Sequence, residues 1–451
     1  CALPVIAGIL AATLVAAGCG SNARNVQGGG AMNSSGQPHT FQNVTLPHDP
    51  IDGPMWIHNM RPGQLRDALD KGYGCLVPIG RMQRRGDDDP FGIDAGAMEG
   101  RLMALARKEK AIVASPLWYT PAAKPPNNRR SFAMDAMAFA RYLDAVLKTL
   151  LEVGFENVTL VLMDDADEDD PLTLACHYAR SNRAGLLWHD VDKGTGWWER
   201  SLEDDRFEGP RMRVVSLAEA APEAPAAREP FGTAPTALRL EHMTATQLDD
   251  AVNRGLPLFV PIGVVENHGN HCPLGVDVFE AQHPVLLAAE KAPAVVAPAI
   301  WYGPTGYMVS GPELGTTEEE GDVYREYTEA FLHGLARMGF QKIVFVQVHQ
   351  GRTGMQATAS RLAGLKVANL YNSVDATGGE SGIPLEVRVI RPPQGEYDHA
   401  GKNETSWMLH LKPDHTDMSL LRKNDYAFCW QPHSPTTDAT AAWGRTMTDR
   451  S

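Results

Sequence analysis

Apolar residues along this chain follow two rhythms. Short unbroken runs, such as 258–262 (L-F-V-P-I) and 343–348 (I-V-F-V-Q-V), alternate with longer stretches where apolar positions recur every three or four residues. An unbroken run of this length fits a strand covered on both faces, whereas the wider spacing gives a helix one buried face. In the C-terminal half the spacing predicts helices over 324–338 and 356–365, flanking a strand over 343–348. In the N-terminal half it predicts a helix over 133–153 and a strand over 158–163. Strands and helices in alternation predict an α/β fold with a largely parallel sheet.

The pattern occurs twice. Residues 60–77 align with 243–260 without a gap, setting Gln64 against Gln247, Leu65 against Leu248 and Gly72 against Gly255. The same offset of 183 carries V-P-I-G at 77–80 onto 260–263, Asp94 onto Asp277, and Trp118-Tyr119 onto Trp301-Tyr302. Gly154-Phe155 meets Gly339-Phe340 at an offset of 185, and Val191-Asp192 meets Val374-Asp375 at 183 again. One offset held over this distance predicts two copies of one domain. The expected organisation is a leader over 1–18, a tether over 19–54, a first domain over 55–217, a linker over 218–236, and a second domain over 237–451. The tether is rich in Gly, Ser and Asn, and the linker in Ala, Pro and Glu.

Chemistry concentrates behind the strand at 258–262. Glu266, His268, His271 and Asp277 follow it closely, in a loop turned by Gly263, Gly269, Pro273 and Gly275. Open α/β sheets place their sites at the carboxyl ends of strands, and Glu, Asp and His hold divalent cations when several converge. The motif E-x-H-G-x-H-x-P-L-G-x-D at 266–277 resembles that of the creatininase (creatinine amidohydrolase) family. Two further segments carry the resemblance: I-V-F-V-Q-V-H-Q-G at 343–351 and H-A-G-K-N-E-T-S at 399–406. It covers residues 243–411, with all three segments in the family's order and spacing.

The resemblance implies two tandem three-layer α/β/α creatininase-like domains, the second holding two divalent metal ions, Zn or Mn. It implies Glu266, His268, Asp277 and His349 as ligands, with Asp277 bridging. Family members draw a further Glu from two residues after the later His; here that position is Gly351, so Glu404 is the candidate to complete the set. Gln347 and Arg352 also depart from the family's usual Asn. The implied reaction is hydrolysis of a C–N amide bond, of a cyclic, creatinine-like substrate, by a metal-bound hydroxide. His399 is the candidate for moving a proton to the leaving nitrogen, and His271 for orienting carboxylates or touching substrate. Plainer roles stand beside these: His349 as a core histidine, Glu404 as a helix N-terminal acid with Thr405 and Ser406 capping, Cys272 as packing rather than a thiolate ligand. Trp301 and Tyr302 have counterparts in the first copy, which favours core packing over a pocket wall.

The first copy lacks this chemistry. Gln83 stands opposite Glu266, Arg85 opposite His268, Asp88 opposite His271 and Asp164 opposite His349, and nothing matches H-A-G-K-N-E-T-S. It is expected to be a degenerate, metal-free domain; the acidic run at 164–170 reads as a solvated loop before a Ca²⁺ site.

Bulk properties narrow the partners. A net charge of −14 argues against nucleic acid, leaving a small-molecule amide as the expected partner. Six cysteines without C-x-x-C spacing frame neither disulfides nor a thiolate site. Residues 2–18 are almost wholly apolar and close on A-A-G-C, which resembles a bacterial lipoprotein signal with Cys19 acylated. The expected setting is an exported, periplasmic protein touching the membrane only through that anchor, with a homo-oligomer implied by the resemblance. Two rival functions remain: a lipid-anchored binding or assembly protein that has lost hydrolysis, and a metallopeptidase acting on a peptide terminus.

Overall fold

The computed structural model describes residues 48–82, 91, 93–122, 131–163, 169–183, 211–220, 238–305, 314–349, 354–373, 384–392, 398–421 and 436–450. The leader, residues 19–47 of the tether with Cys19, the segment 221–237, and Gln83, Arg85, Asp88, Asp164, Gly351 and Arg352 lie outside the described residues.

In chain order the N-terminal half runs α1 (Pro62–Asp70), β1 (Gly74–Ile79), α2 (Ile93–Glu109), β2 (Ala111–Val113), α3 (Ala136–Val153), β3 (Asn157–Leu162), α4 (Pro171–Arg183), β4 (Arg211–Ser216) and the short α5 (Leu217–Ala220). The C-terminal half runs β5 (Leu238–Arg239), α6 (Ala245–Asn253), β6 (Leu258–Ile262), α7 (Val276–Lys291), β7 (Val295–Val296), α8 (Gly321–Met338), β8 (Lys342–Gln347), α9 (Met355–Asn372), β9 (Glu386–Ile390), α10 (Lys402–Leu411) and α11 (Ala441–Arg450). Strand order is β2-β1-β3-β4 in one sheet and β5-β7-β6-β8-β9 in the other. Every pairing is parallel.

Side chains alternate across each sheet, so both faces need cover. Leu76, Val113 and Val161 pack on Leu102 and Leu105 of α2, whereas Cys75, Val77, Ile79 and Leu160 join the core under α3. The second sheet repeats this, with Val296 and Val346 against Val285 and Ala289 of α7, and Val260, Ile262 and Phe345 under α8. Each half is therefore three layers, helix, sheet, helix.

The inner layers merge into one core across which equivalent residues meet reciprocally. Tyr142 of α3 and Tyr327 of α8 stack with ring centroids 3.8 Å apart. Tyr119 donates its hydroxyl to the Pro298 carbonyl at 2.8 Å, and Tyr302 to Ser115 at 3.2 Å. Tyr142 donates to Tyr302 at 2.8 Å, and Tyr327 to Tyr119 at 3.4 Å. Backbone does likewise: Phe91 N donates to Met243 O at 3.0 Å, and Leu274 N to Met60 O at 2.9 Å. Each bond of a pair maps onto the other at the offsets of 183 and 185, which is the contact rule of an isologous interface.

Helix ends differ from the sequence expectation for local reasons. α3 begins at Ala136 rather than 133, because the Asp135 carboxylate caps it by accepting from Ala138 N at 2.8 Å. α8 begins three residues early, its first turn being half-exposed and so invisible to an apolar pattern. α9 continues to Asn372, past the expected 365, through a final turn that is mostly exposed. The strand expected over 343–348 is Lys342–Gln347 and that over 158–163 is Asn157–Leu162. Residues 218–220 of the expected linker belong to the helix Leu217–Ala220.

Candidate metal centre

Strand β6 delivers the chain to Gly263, where the loop must pass close against the start of α7. A Cβ on Gly263 would lie 2.8 Å from Val278 N and 2.9 Å from the Asp277 carbonyl carbon. That closeness turns the loop carrying Glu266 and His268 back over Asp277, in the first turn of α7, where the helix N-terminus favours a carboxylate. β8 ends at Gln347, and His349 follows two residues on. Glu404 enters from the first turn of α10, its carboxylate accepting from Ala400 N at 2.6 Å.

These residues meet. His349 Nδ1 lies 3.0 Å from Glu266 Oε2 and 3.1 Å from Asp277 Oδ2. His268 Nε2 lies 3.7 Å from Asp277 Oδ1 and 3.5 Å from Glu404 Oε2. Two three-residue groups result, Glu266-Asp277-His349 and His268-Asp277-Glu404, with Asp277 offering one oxygen to each. Within each group the donor atoms lie within 4.8 Å of one another. A third group, Glu266-His268-His399, overlaps both.

Each imidazole is fixed from behind by a backbone carbonyl. His268 Nδ1 faces Glu266 O at 3.1 Å, His349 Nε2 faces Thr305 O at 3.4 Å, and His399 Nε2 faces Asn267 O at 3.1 Å. A carbonyl can only accept, so the facing nitrogen carries the hydrogen and the other presents its lone pair to the cluster. His268 Nε2 is buried without a hydrogen-bond partner, and the buried Glu266 Oε2 and Asp277 Oδ2 both face the one His349 nitrogen. Buried acceptors are ordinarily satisfied, and acceptors that converge unsatisfied fit a cation between them.

The electrostatics agree. Burial alone would lower the His349 pKa, but Glu266 and Asp277 outweigh it and hold that imidazole well above its usual range. Burial raises the Glu266 carboxyl, and His349, His399 and His268 more than reverse it. Glu404 is pushed well up by burial, then by Glu280, Asp398 and Asp277. His399 and His271 are brought down to about 4 by burial and by His268. A cluster that forces one carboxyl to keep its proton is short of positive charge.

The remaining residues singled out in the sequence stand around this centre. His271 is outside all three groups; its Nε2 meets Thr405 Oγ1 at 2.9 Å, beside Glu404. Cys272 is buried against the same hydroxyl and ligates nothing in these groups. Trp301 stacks on His58 of the N-terminal half at 4.2 Å, in the inter-half core. The capping expected of Thr405 and Ser406 falls instead to Asp398, which accepts from Asn403 N at 2.7 Å and Glu404 N at 3.3 Å. Ser406 Oγ accepts from Thr440 N at 3.0 Å, just ahead of α11.

Sequence reasoning passed over three contributors. Glu280 is buried one turn after Asp277, a spacing that puts both on one face of α7. Asp398 directly precedes His399. The segment 314–318 straps the site: Thr317 donates through N and Oγ1 to Val265 O, Thr316 Oγ1 accepts from Asn267 N, and Leu314 O accepts from Asn267 Nδ2. Hydroxyl and backbone bonds of this kind leave no periodic trace in a sequence.

Comparison with known proteins follows the same residues. Residues 241–450 match the family model Creatininase, described as creatinine amidohydrolase. The chain is 26% identical over 189 residues to the 3-dehydro-scyllo-inosose hydrolase of Thermotoga maritima, covering 40% of this chain and 58% of that protein. It is 28% identical over 175 residues to the creatinine amidohydrolase of Pseudomonas putida, covering 36% and 67%. It is 33% identical over 166 residues to the mycofactocin precursor peptide peptidase of Mycolicibacterium smegmatis, covering 35% and 58%. The chain thus spans between 58% and 67% of the curated relatives it matches. Among solved structures it resembles creatinine amidohydrolase (creatininase) at 20% identity and a TM-score of 0.39, over 47% of this chain and 93% of that one. A mutant creatininase of Zn-Zn type gives 22% and 0.39, and one described as creatininase Mn gives 21% and 0.38, each with the same coverages.

Proposed function

We propose that the creatininase-family domain of residues 241–450 is a metal-dependent amidohydrolase, hydrolysing a C–N amide bond in a small, cyclic amide. The observation that carries this reading is the pair of three-residue groups sharing Asp277, in which buried carboxylate oxygens and imidazole nitrogens converge. Glu266, Asp277 and His349 would hold one divalent ion, zinc or manganese, and His268, Asp277 and Glu404 would hold the other. When bound, the two ions would polarise the amide carbonyl and acidify a water molecule at the cluster. His268, His349 and His399 keep their orientation through the carbonyls behind them. His399, neutral down to about pH 4, has a ring nitrogen able to take up a proton and return it to the departing nitrogen. His271 steadies Thr405 beside Glu404.

The names of the relatives bear on substrate class. One is a peptide peptidase, the highest in identity of the three at 33%, and this favours peptide termini as the second substrate class to test. We read the N-terminal half as a duplicated copy without metal, consistent with the shared offset and strand order. Export through a lipoprotein-type leader acylated at Cys19 belongs to the same proposal.

The test is metal content together with hydrolysis. The purified chain should carry about two equivalents of zinc or manganese and hydrolyse a member of a panel of cyclic amides and peptides. His349→Ala should lose both properties. A wild-type chain that binds neither metal would leave a binding or assembly role in place of the enzyme.

A further inference from the structure

We propose that Thr149, on helix α3 of the N-terminal half, is a positioning residue for the ligand His349 across the interface between halves; this rests on the cluster being the metal centre. Thr149 is buried, and its Oγ1 accepts from Glu318 N at 2.8 Å. Glu318 Oε2 in turn accepts from Thr305 N at 3.0 Å and from the Thr305 hydroxyl. Thr305 O is the carbonyl that His349 Nε2 faces, and His349 Nδ1 points at Glu266 and Asp277. Three links therefore join a side chain of one half to a donor atom of the other. Glu318 also ends the 314–318 strap that bonds Val265 and Asn267, so the contact braces both ligand-bearing loops at once.

A structural bond of the interface would be expected on both sides of it, as the tyrosine bonds are. This one is not. At the offset of 185 that maps α3 onto α8, Thr149 becomes Gly334 and Glu318 becomes Ala133. The approach is kept on that side too: a Cβ on Gly334 would lie 2.9 Å from Ala133 O and 2.4 Å from Phe132 Cε2. No side chain fits there, and no hydroxyl is offered. The hydroxyl and the carboxylate occur only where the chain beyond them leads to a metal ligand. Partners behind a ligating histidine fix its ring and tautomer, and their loss typically weakens metal binding by ~10–100-fold.

The experiment compares Thr149→Val with Thr149→Ser in the full chain, using Tyr119→Phe as control. Tyr119→Phe removes a buried bond of the same interface, to Pro298 O, which lies outside the links to His349. Zinc affinity is measured by competition with a chromophoric chelator. The ring ¹⁵N shifts of His349 are measured in metal-free protein labelled at histidine. Thr149→Val should weaken zinc binding by ~10-fold and move the His349 signals, Thr149→Ser should restore both, and Tyr119→Phe should lower only the melting temperature. Wild-type affinity and unmoved shifts in Thr149→Val overturn the proposal, as does an equal loss of affinity in Tyr119→Phe. If the valine variant does not fold, Thr149→Ala carries the same comparison. A wild-type chain that binds no zinc sinks the enzymatic reading instead, while the metal-free shifts still decide the role of Thr149.

Discussion

The carboxyl ends of β1 and β6 occupy equivalent places, yet the two halves resolve their buried charge in opposite ways. Beyond β1, the guanidinium of Arg81 pairs with the carboxylate of Asp170, both nearly inaccessible, and Asp170 also accepts from Leu172 N at 2.8 Å to start α4. That end of the sheet supplies its own cation. Beyond β6, where Val264 takes the place of Arg81, three carboxylates and three imidazoles gather in three overlapping candidate metal groups. A single scaffold thus carries a buried ion pair at one strand end and a candidate metal centre at the other. What separates the halves is the chemistry at these strand ends, while β2-β1-β3-β4 and β7-β6-β8-β9 run in the same order beneath.

The largest expected effect tests the shared ligand. Asp277→Asn should cost both ions and reduce amide hydrolysis by ~100-fold or more, read by elemental analysis and steady-state rates. Retention of one full equivalent would break the bridging arrangement. On the other side, Arg81→Ala should destabilise the chain by about 3–5 kcal/mol, since it strands a buried carboxylate. Urea unfolding measures the loss, and metal content should stay at the wild-type value. A fall in metal content there would mean that the two crevices are not independent.

Next in size is the effect of the cation itself. Zinc at a hundredfold excess over its dissociation constants should stabilise the metal-free protein by about 2.7 kcal/mol for each ion bound, a shift that Asp277→Asn abolishes. A further effect is a pH slope. His271 titrates near 6.5 when unfolded and at about 4 when folded. Between those values the unfolded chain binds the extra proton, so this group makes stability rise with pH and fall on acidification from about 6.5 towards 4. In metal-free protein, unfolding free energies across that window should slope less steeply for His271→Gln than for wild type.

Much of this was legible in the sequence, for reasons visible at single residues. The run at 258–262 had to be a covered strand, and Glu266, His268 and Asp277 follow it at a spacing few structural loops need. The offset of 183 carried Tyr119 onto Tyr302 before their reciprocal bonds were known. Other features left no pattern to read. Thr149 sits between Lys148 and Leu150 in an amphipathic helix and looks like any inward threonine; its role depends on a glutamate 169 residues away. Asp398 was hidden beside a more conspicuous histidine, and the strap from Leu314 to Glu318 works through backbone and hydroxyl bonds that have no period. Periodicity reports which face is buried, and a three-link relay is not a face.

The reciprocal tyrosine bonds carry a consequence for dosage. A protomer that had to find a second copy would lose that interface on dilution, and a symmetric pair would hold two centres. Here both members of the pair are parts of a single polypeptide, so the brace around His349 has an effective concentration set by the connecting chain. The contact between the halves should therefore not depend on protein concentration, and any activity per mole should stay constant on dilution.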